Sequence, residues 1–317
     1  MDLFKLIKKV KPNISDITIK MYSSNISNLN KLITQSKDIK DLEFLSVPSQ
    51  ILSVLSKKKP HTIKNYLVSI IVVLQSQPEK YKSQIAEYSK EIKKLSENIN
   101  NNYDENKKSE SQSDNWVEMN DIKALVKQYK ENYNKLRKKS KLNNNDLQNI
   151  QDYLLLSLYS GIYFEPLRND FHNMEIILQS EIKDMNKDKN YLVIMDNDSI
   201  KFIFNKYKTV KSYGTFELPI KSKVLSDLIL YWIENNGSDN FLINIKNKKP
   251  YSANAITKNL NRIFEKNLDK TVSSSLIRSI YISEKLKNNI STKDKKKLAE
   301  NMMHSKDIQQ NVYNKIE

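Results

Sequence analysis

Apolar residues recur at helical spacing along almost the whole chain, and the pattern changes only once, between Tyr191 and Ile220. Ahead of that break, Ile19, Tyr22, Ile26, Leu29 and Leu32-Ile33 follow Ile14-Ser15-Asp16. A second stripe, Ile63, Tyr66, Leu67, Ile70, Ile71 and Leu74, follows Pro60-His61-Thr62 and stops before Pro78; a third spans about Tyr81 to Ile99. Recurrence at three and four residues puts one apolar face on a helix. The spacing predicts further helices over about 121–139 and 145–160. The second of these carries Leu147, Ile150, Tyr153, Leu154-Leu155-Leu156 and Leu158, is apolar on nearly every side, and should be buried, with Gly161 as its C-terminal stop. Within the exceptional stretch, Tyr191–Met195 and Ile200–Phe204 flank the turn residues Asp196-Asn197-Asp198-Ser199 and read as a hairpin. Thr215–Ile220 reads as a third strand, and a basic tip, Lys206-Tyr207-Lys208-Thr209-Val210-Lys211, precedes it. Helical spacing then resumes. Val224, Leu225, Leu228, Ile229 and Trp232 share a face that Gly237 ends, and Ser252, Ser273 or Ser274, and Ser291 stand where helix caps belong. The expected class is mainly α with a small antiparallel β-sheet.

Residues 100–115 are polar and nearly free of aliphatic side chains, the composition of an exposed linker. The expected organisation is a helical domain over 1–100, a linker over 101–115 and a second, α+β domain over 116–317.

Composition removes whole classes of chemistry. The chain has no cysteine and three histidines, His61, His172 and His304, so thiolate catalysis and cysteine- or histidine-based metal sites are not expected. Gly161, Gly214 and Gly237 are the only glycines and lie far apart. Phosphate-cradling loops need clustered glycines for close backbone approach, so neither a P-loop nor a dinucleotide-binding turn is present. No metal and no nucleotide cofactor is expected. Met1-Asp2-Leu3-Phe4-Lys5 does not read as a secretory signal, and no apolar run approaches membrane-spanning length. The expected location is inside a cell or a viral compartment, wherever the target nucleic acid is, with no membrane partner. The formal net charge of +16 favours a polyanion, nucleic acid first, although AT-rich coding also yields Lys-, Asn- and Ile-rich chains.

Breaking DNA without hydrolysing it needs a nucleophile that keeps the bond energy in a covalent phosphoester, and a tyrosine serves because its phenolate also leaves on reversal. The charge on the phosphate's nonbridging oxygens suits two planar, always-charged guanidinium groups. The departing 5′-oxygen needs a proton donor, and a lysine can supply it. The chain offers, in order, Arg168 in Pro166-Leu167-Arg168, Lys208 in Tyr207-Lys208-Thr209, Ser275 and Arg278 in Ser275-Leu276-Ile277-Arg278, His304 in Met303-His304-Ser305, and Tyr313 nine positions on. With these residues, 116–317 resembles the catalytic domain of the tyrosine recombinase (phage integrase) family; no single motif is specific, and the order carries the likeness. Thr62-Ile63-Lys64-Asn65-Tyr66 resembles, more weakly, the helix that lies along DNA in the family's core-binding domain.

The resemblance implies a site-specific recombinase or integrase that makes a 3′-phosphotyrosyl link through Tyr313 and releases a 5′-hydroxyl. It implies that the two domains clamp double-stranded DNA, that a homotetramer works on two sites, and that Thr62, Lys64, Asn65, Lys206 and Lys211 contact DNA. Lys206 and Lys211 stay open as alternatives to Lys208 for the acid. A virus or mobile element is the expected source. Three departures stand out. Ser275 replaces the family's usual histidine, Met303 replaces the glycine before His304 and so predicts a different helix cap, and the acidic residue after Arg168 falls at Asp170, one place early. Four residues follow Tyr313, so no long tail exchanged between subunits is expected. Two rivals share the residues: a type IB topoisomerase, which resembles a β-rich N-terminal clamp rather than helices, and a lapsed DNA-binding protein of the same fold, for which Ser275 argues.

Overall fold

The computed structural model describes residues 1–104, 106–287 and 290–315. The chain divides into two compact units, Met1–Glu105 and Asn106–Glu317. The first holds α1 (Leu3–Val10), α2 (Asp16–Thr34), α3 (Pro48–Leu55), α4 (Pro60–Leu74) and α5 (Lys82–Asp104). Helix α2 starts where the Ser15 hydroxyl accepts the Thr18 N–H at 3.2 Å. In α4, Pro60 takes the first turn, where the missing N–H has no intrahelical partner to lose. The α4 stripe is real. Leu67, Ile70, Val73 and Leu74 are fully buried, each worth roughly 1.5–3 kcal/mol in transfer free energy. Thr62 and Asn65 are exposed and Lys64 is half-buried in its first turns. Helices α1 and α3 were not legible in the spacing. Each is eight residues long and holds its place by burying Leu3 and Ile7, or Ile51 and Leu55, in the same core. Inside that core the Tyr88 hydroxyl donates to the Leu45 carbonyl at 2.8 Å.

The second unit holds α6 (Glu110–Asn115), α7 (Met119–Leu136), α8 (Asn144–Tyr159), β1 (Glu175–Leu178), β2 (Asn190–Ile194), β3 (Ile200–Phe204), α9 (Val210–Tyr213), β4 (Phe216–Pro219), α10 (Lys223–Asn236), α11 (Ala253–Leu268), α12 (Ser274–Lys287), α13 (Thr292–Asn301) and α14 (Lys306–Ile308). A π-helical turn, Gln309–Tyr313, continues from α14. The polar 101–115 segment differs from the expected linker: α5 runs on to Asp104 and α6 fills its far end. A capping box explains α6. The Ser109 hydroxyl takes the Gln112 N–H while the Gln112 side chain takes the Ser109 N–H. Residue 105, inside the expected linker, lies outside the described residues.

The sheet order is β1-β2-β3-β4. β2, β3 and β4 form the expected antiparallel meander, with Leu192 opposite Phe202 and Phe202 opposite Leu218. β1 was not foreseen and makes the sheet mixed, because it pairs parallel to β2 with Glu175 opposite Tyr191. The core gathers on α8, where Leu154, Leu155, Leu158 and Tyr159 are fully buried. Phe171 is the hub of an aromatic cluster with Phe202, Phe204 and Tyr159. Gly161 ends α8 at φ +73°, and a Cβ there would come within 2.3 Å of the Tyr281 ring, so the position demands glycine on two counts. Among the described residues no helix is long and apolar enough to cross a membrane.

Candidate functional site

Three segments far apart in sequence meet beside α12. Past Gly161 the chain turns through Pro166 and the buried Leu167 to Arg168, whose Nη1 donates to the Met303 carbonyl at 2.9 Å. Arg278, on α12, is 1% exposed. Its Nη1 donates to the Pro166 carbonyl at 2.9 Å and its Nη2 to His304 Nδ1 at 2.8 Å, with the Met302 carbonyl at 3.5 Å. The Tyr313 ring covers this guanidinium, 4.6 Å from ring centre to Cζ, and lies 5.2 Å from the His304 ring. Arg168, Arg278, His304 and Tyr313 therefore form one cluster within the second unit.

Met303 holds the cluster's geometry. It sits at φ +54° just past α13, in the left-handed region that glycine favours. Around it the His304 N–H reaches back to the Ala299 carbonyl and the Met303 N–H to Glu300. These are the two bonds of a Schellman cap. The expectation that Met303 forces a different cap is corrected: the chain adopts the glycine geometry with methionine in it. A side chain 1% exposed offsets the backbone cost.

An arginine can only donate, so His304 Nδ1 accepts and its proton sits on Nε2. Burial first, then the charges of Arg278 and Arg168, pull the His304 pKa down to about 3. The ring is thus a neutral donor whose Nε2 has no hydrogen-bond partner among the described residues. Arg278 Nε is likewise buried without one. Burial also lowers the Arg278 pKa; the Tyr313 hydroxyl opposes that shift, while the Arg168 charge adds to it. Asp170 is buried with one unpartnered carboxylate oxygen, and burial raises its pKa against the pull of Arg168, His172 and Arg278. Two buried donors without acceptors, next to two guanidinium groups, make a site that suits an anion.

The remaining candidates lie outside this cluster. Ser275 is exposed, one helical turn before Arg278. Lys206, Lys208 and Lys211 are exposed on the β3–β4 loop, which carries α9. That loop touches the cluster through Thr209, whose hydroxyl donates to the Met303 carbonyl at 2.9 Å. Thr62, Lys64 and Asn65 belong to the first unit. Sequence reasoning missed Thr209 and the Met303 carbonyl. A threonine beside a lysine has no signature, and a backbone oxygen has none at all. Gln309, four residues before Tyr313, is fully buried, and neither amide atom is hydrogen-bonded among the described residues.

No family model matches the chain, and no curated protein sequence does. Among solved structures, the crystal structure of XerA recombinase aligns over 100% of this chain and 94% of that one, at 11% identity and a TM-score of 0.39. A likeness of that size says nothing about activity.

Proposed function

We propose that this chain cuts and rejoins double-stranded DNA as a tyrosine-type site-specific recombinase. The observation that carries the reading is the contact of Tyr313 and His304 with the buried Arg278, and the tie of Arg168 to the same turn. Tyr313 Oη bonds to phosphorus, the bond from phosphorus to the 5′-oxygen breaks, and that oxygen takes a proton from Lys208. The phenolic proton passes to water, because His304 Nδ1 is held by Arg278 and Nε2 is already protonated. Arg168 and Arg278 offset the charge of the five-coordinate phosphate, and the His304 Nε2–H donates to a nonbridging oxygen. Charge placement and alignment do the work, as phosphoryl transfer requires. Since Arg278 is covered by the Tyr313 ring, the ring slides aside as the phosphate enters, and its hydroxyl turns toward phosphorus.

Lys208 is the acid in this reading, because Thr209, its neighbour, is the loop residue bonded to the cluster. Lys206 and Lys211 then hold flanking phosphates, Ser275 donates to the backbone from its exposed turn, and Thr62, Lys64 and Asn65 touch duplex DNA from the first unit. A homotetramer on two sites, and an origin in a virus or mobile element, belong to the same proposal. The buried Arg278 gives one rival its footing, a DNA-binding protein that never cleaves. Nicked suicide duplexes of random sequence decide between them. Wild type should trap a covalent adduct that survives denaturation and maps to Tyr313, and Tyr313→Phe should trap none. No adduct from wild type, or equal trapping by Tyr313→Phe, overturns the proposal.

A further inference from the structure

We infer that Thr209 is a positioning residue for Lys208, acting through the carbonyl of Met303; this rests on the function proposed above. Several side-chain hydrogen bonds pin the β3–β4 loop. The buried Asn190 side chain accepts from the Lys206 N–H at 2.8 Å and donates to the Lys206 carbonyl at 3.0 Å. The Tyr207 hydroxyl donates to the Gly214 carbonyl at 2.7 Å and closes the loop on itself. None of these bonds connects the loop to the arginine–histidine–tyrosine cluster. One other does: the Thr209 hydroxyl reaches the carbonyl that also accepts Arg168.

Lys208 therefore stands between a buried tyrosine and a tethered threonine, while its own side chain is exposed. Its backbone is held on both sides while its ammonium lies exposed. The left-handed turn at Met303 aims one oxygen at two donors 41 residues apart in sequence, Arg168 and Thr209. Loss of the hydroxyl would leave Arg168 bound and release the lysine loop alone. The distance from Lys208 to the scissile 5′-oxygen would then vary, and a misplacement of about 1 Å costs on the order of 10²-fold in rate.

The test uses full-length protein and a duplex recovered from the wild-type adduct, resynthesised with either oxygen or sulfur bridging to the 5′ carbon. A thiolate leaves without a proton, so the sulfur duplex needs no acid. Thr209→Val, which keeps the shape, should cleave the oxygen duplex about 10–100-fold more slowly in single turnover, bind it as wild type does, and cleave the sulfur duplex at the wild-type rate. Thr209→Ser should restore the oxygen rate. Thr209→Val combined with Lys208→Ala should be no slower than Lys208→Ala alone. An equal loss on both duplexes would mean that Thr209 serves the fold or Arg168, and full oxygen-duplex activity in Thr209→Val would mean that it positions nothing; either overturns the inference and leaves the proposed function intact. No adduct from wild type overturns both.

Discussion

Acidification should destabilise the second unit through His304, by an amount that can be worked out. The His304 pKa is about 3 in the folded chain against an ordinary value of 6.5. The unfolded chain therefore takes up the proton first, and stability is lost as pH falls from about 6.5 toward about 3. At about pH 5 the unfolded histidine is almost wholly protonated and the folded one is not, which costs about 2 kcal/mol relative to about pH 8. Tryptophan fluorescence during denaturant unfolding reads this unit alone, since Trp116 and Trp232 are the only tryptophans and both belong to it. The control is His304→Asn, whose amide oxygen can still accept from Arg278 but does not titrate. Wild type should be the more stable at about pH 8, and its advantage should shrink by about 2 kcal/mol at about pH 5. The raised carboxyl of Asp170 acts with the opposite sign, but it is present in both proteins and cancels in the difference. An advantage that stays constant within about 0.5 kcal/mol would mean that His304 is solvated or already charged, and the neutral-donor role would fall with it.

Three further outcomes follow from particular contacts. Met303→Gly relieves a left-handed backbone worth about 1–2 kcal/mol but deletes a fully buried side chain worth about 2–5 kcal/mol, so denaturation should show a net loss; a gain would mean the turn, not the packing, governs this site. Gln309→Met should raise stability by about 1–3 kcal/mol by removing two buried, unpartnered amide atoms, as read by the unfolding midpoint, and an unchanged or lower midpoint would show that the amide is solvated. Lys206→Gln and Lys211→Gln should each lower the slope of log affinity against log salt by about 0.9 if the lysine contacts a duplex phosphate; anisotropy titrations over a salt series measure this, and an unaltered slope removes that lysine from the DNA-contacting set.

Sequence alone determined whatever depends on neighbours a few residues apart. The starts of α2, α11 and α13 follow from Ser15, Ser252 and Ser291, each accepting an N–H three residues on. The β2–β3 hairpin follows from a short turn between two apolar runs, and the burial of α8 from apolar residues on nearly every side. The chemical types at Arg168, Arg278, His304 and Tyr313 were equally legible, one residue at a time. Tertiary structure decided what rests on long-range contacts. The parallel edge strand β1, the left-handed Met303, the burial of Arg278 and the tether of Thr209 each depend on partners that no local pattern encodes. The Arg168–Met303, Arg278–Pro166 and Thr209–Met303 bonds join residues 135, 112 and 94 positions apart. Periodicity reports which face of an element is apolar, whereas a hydrogen bond between distant elements needs both already packed before donor and acceptor come within reach.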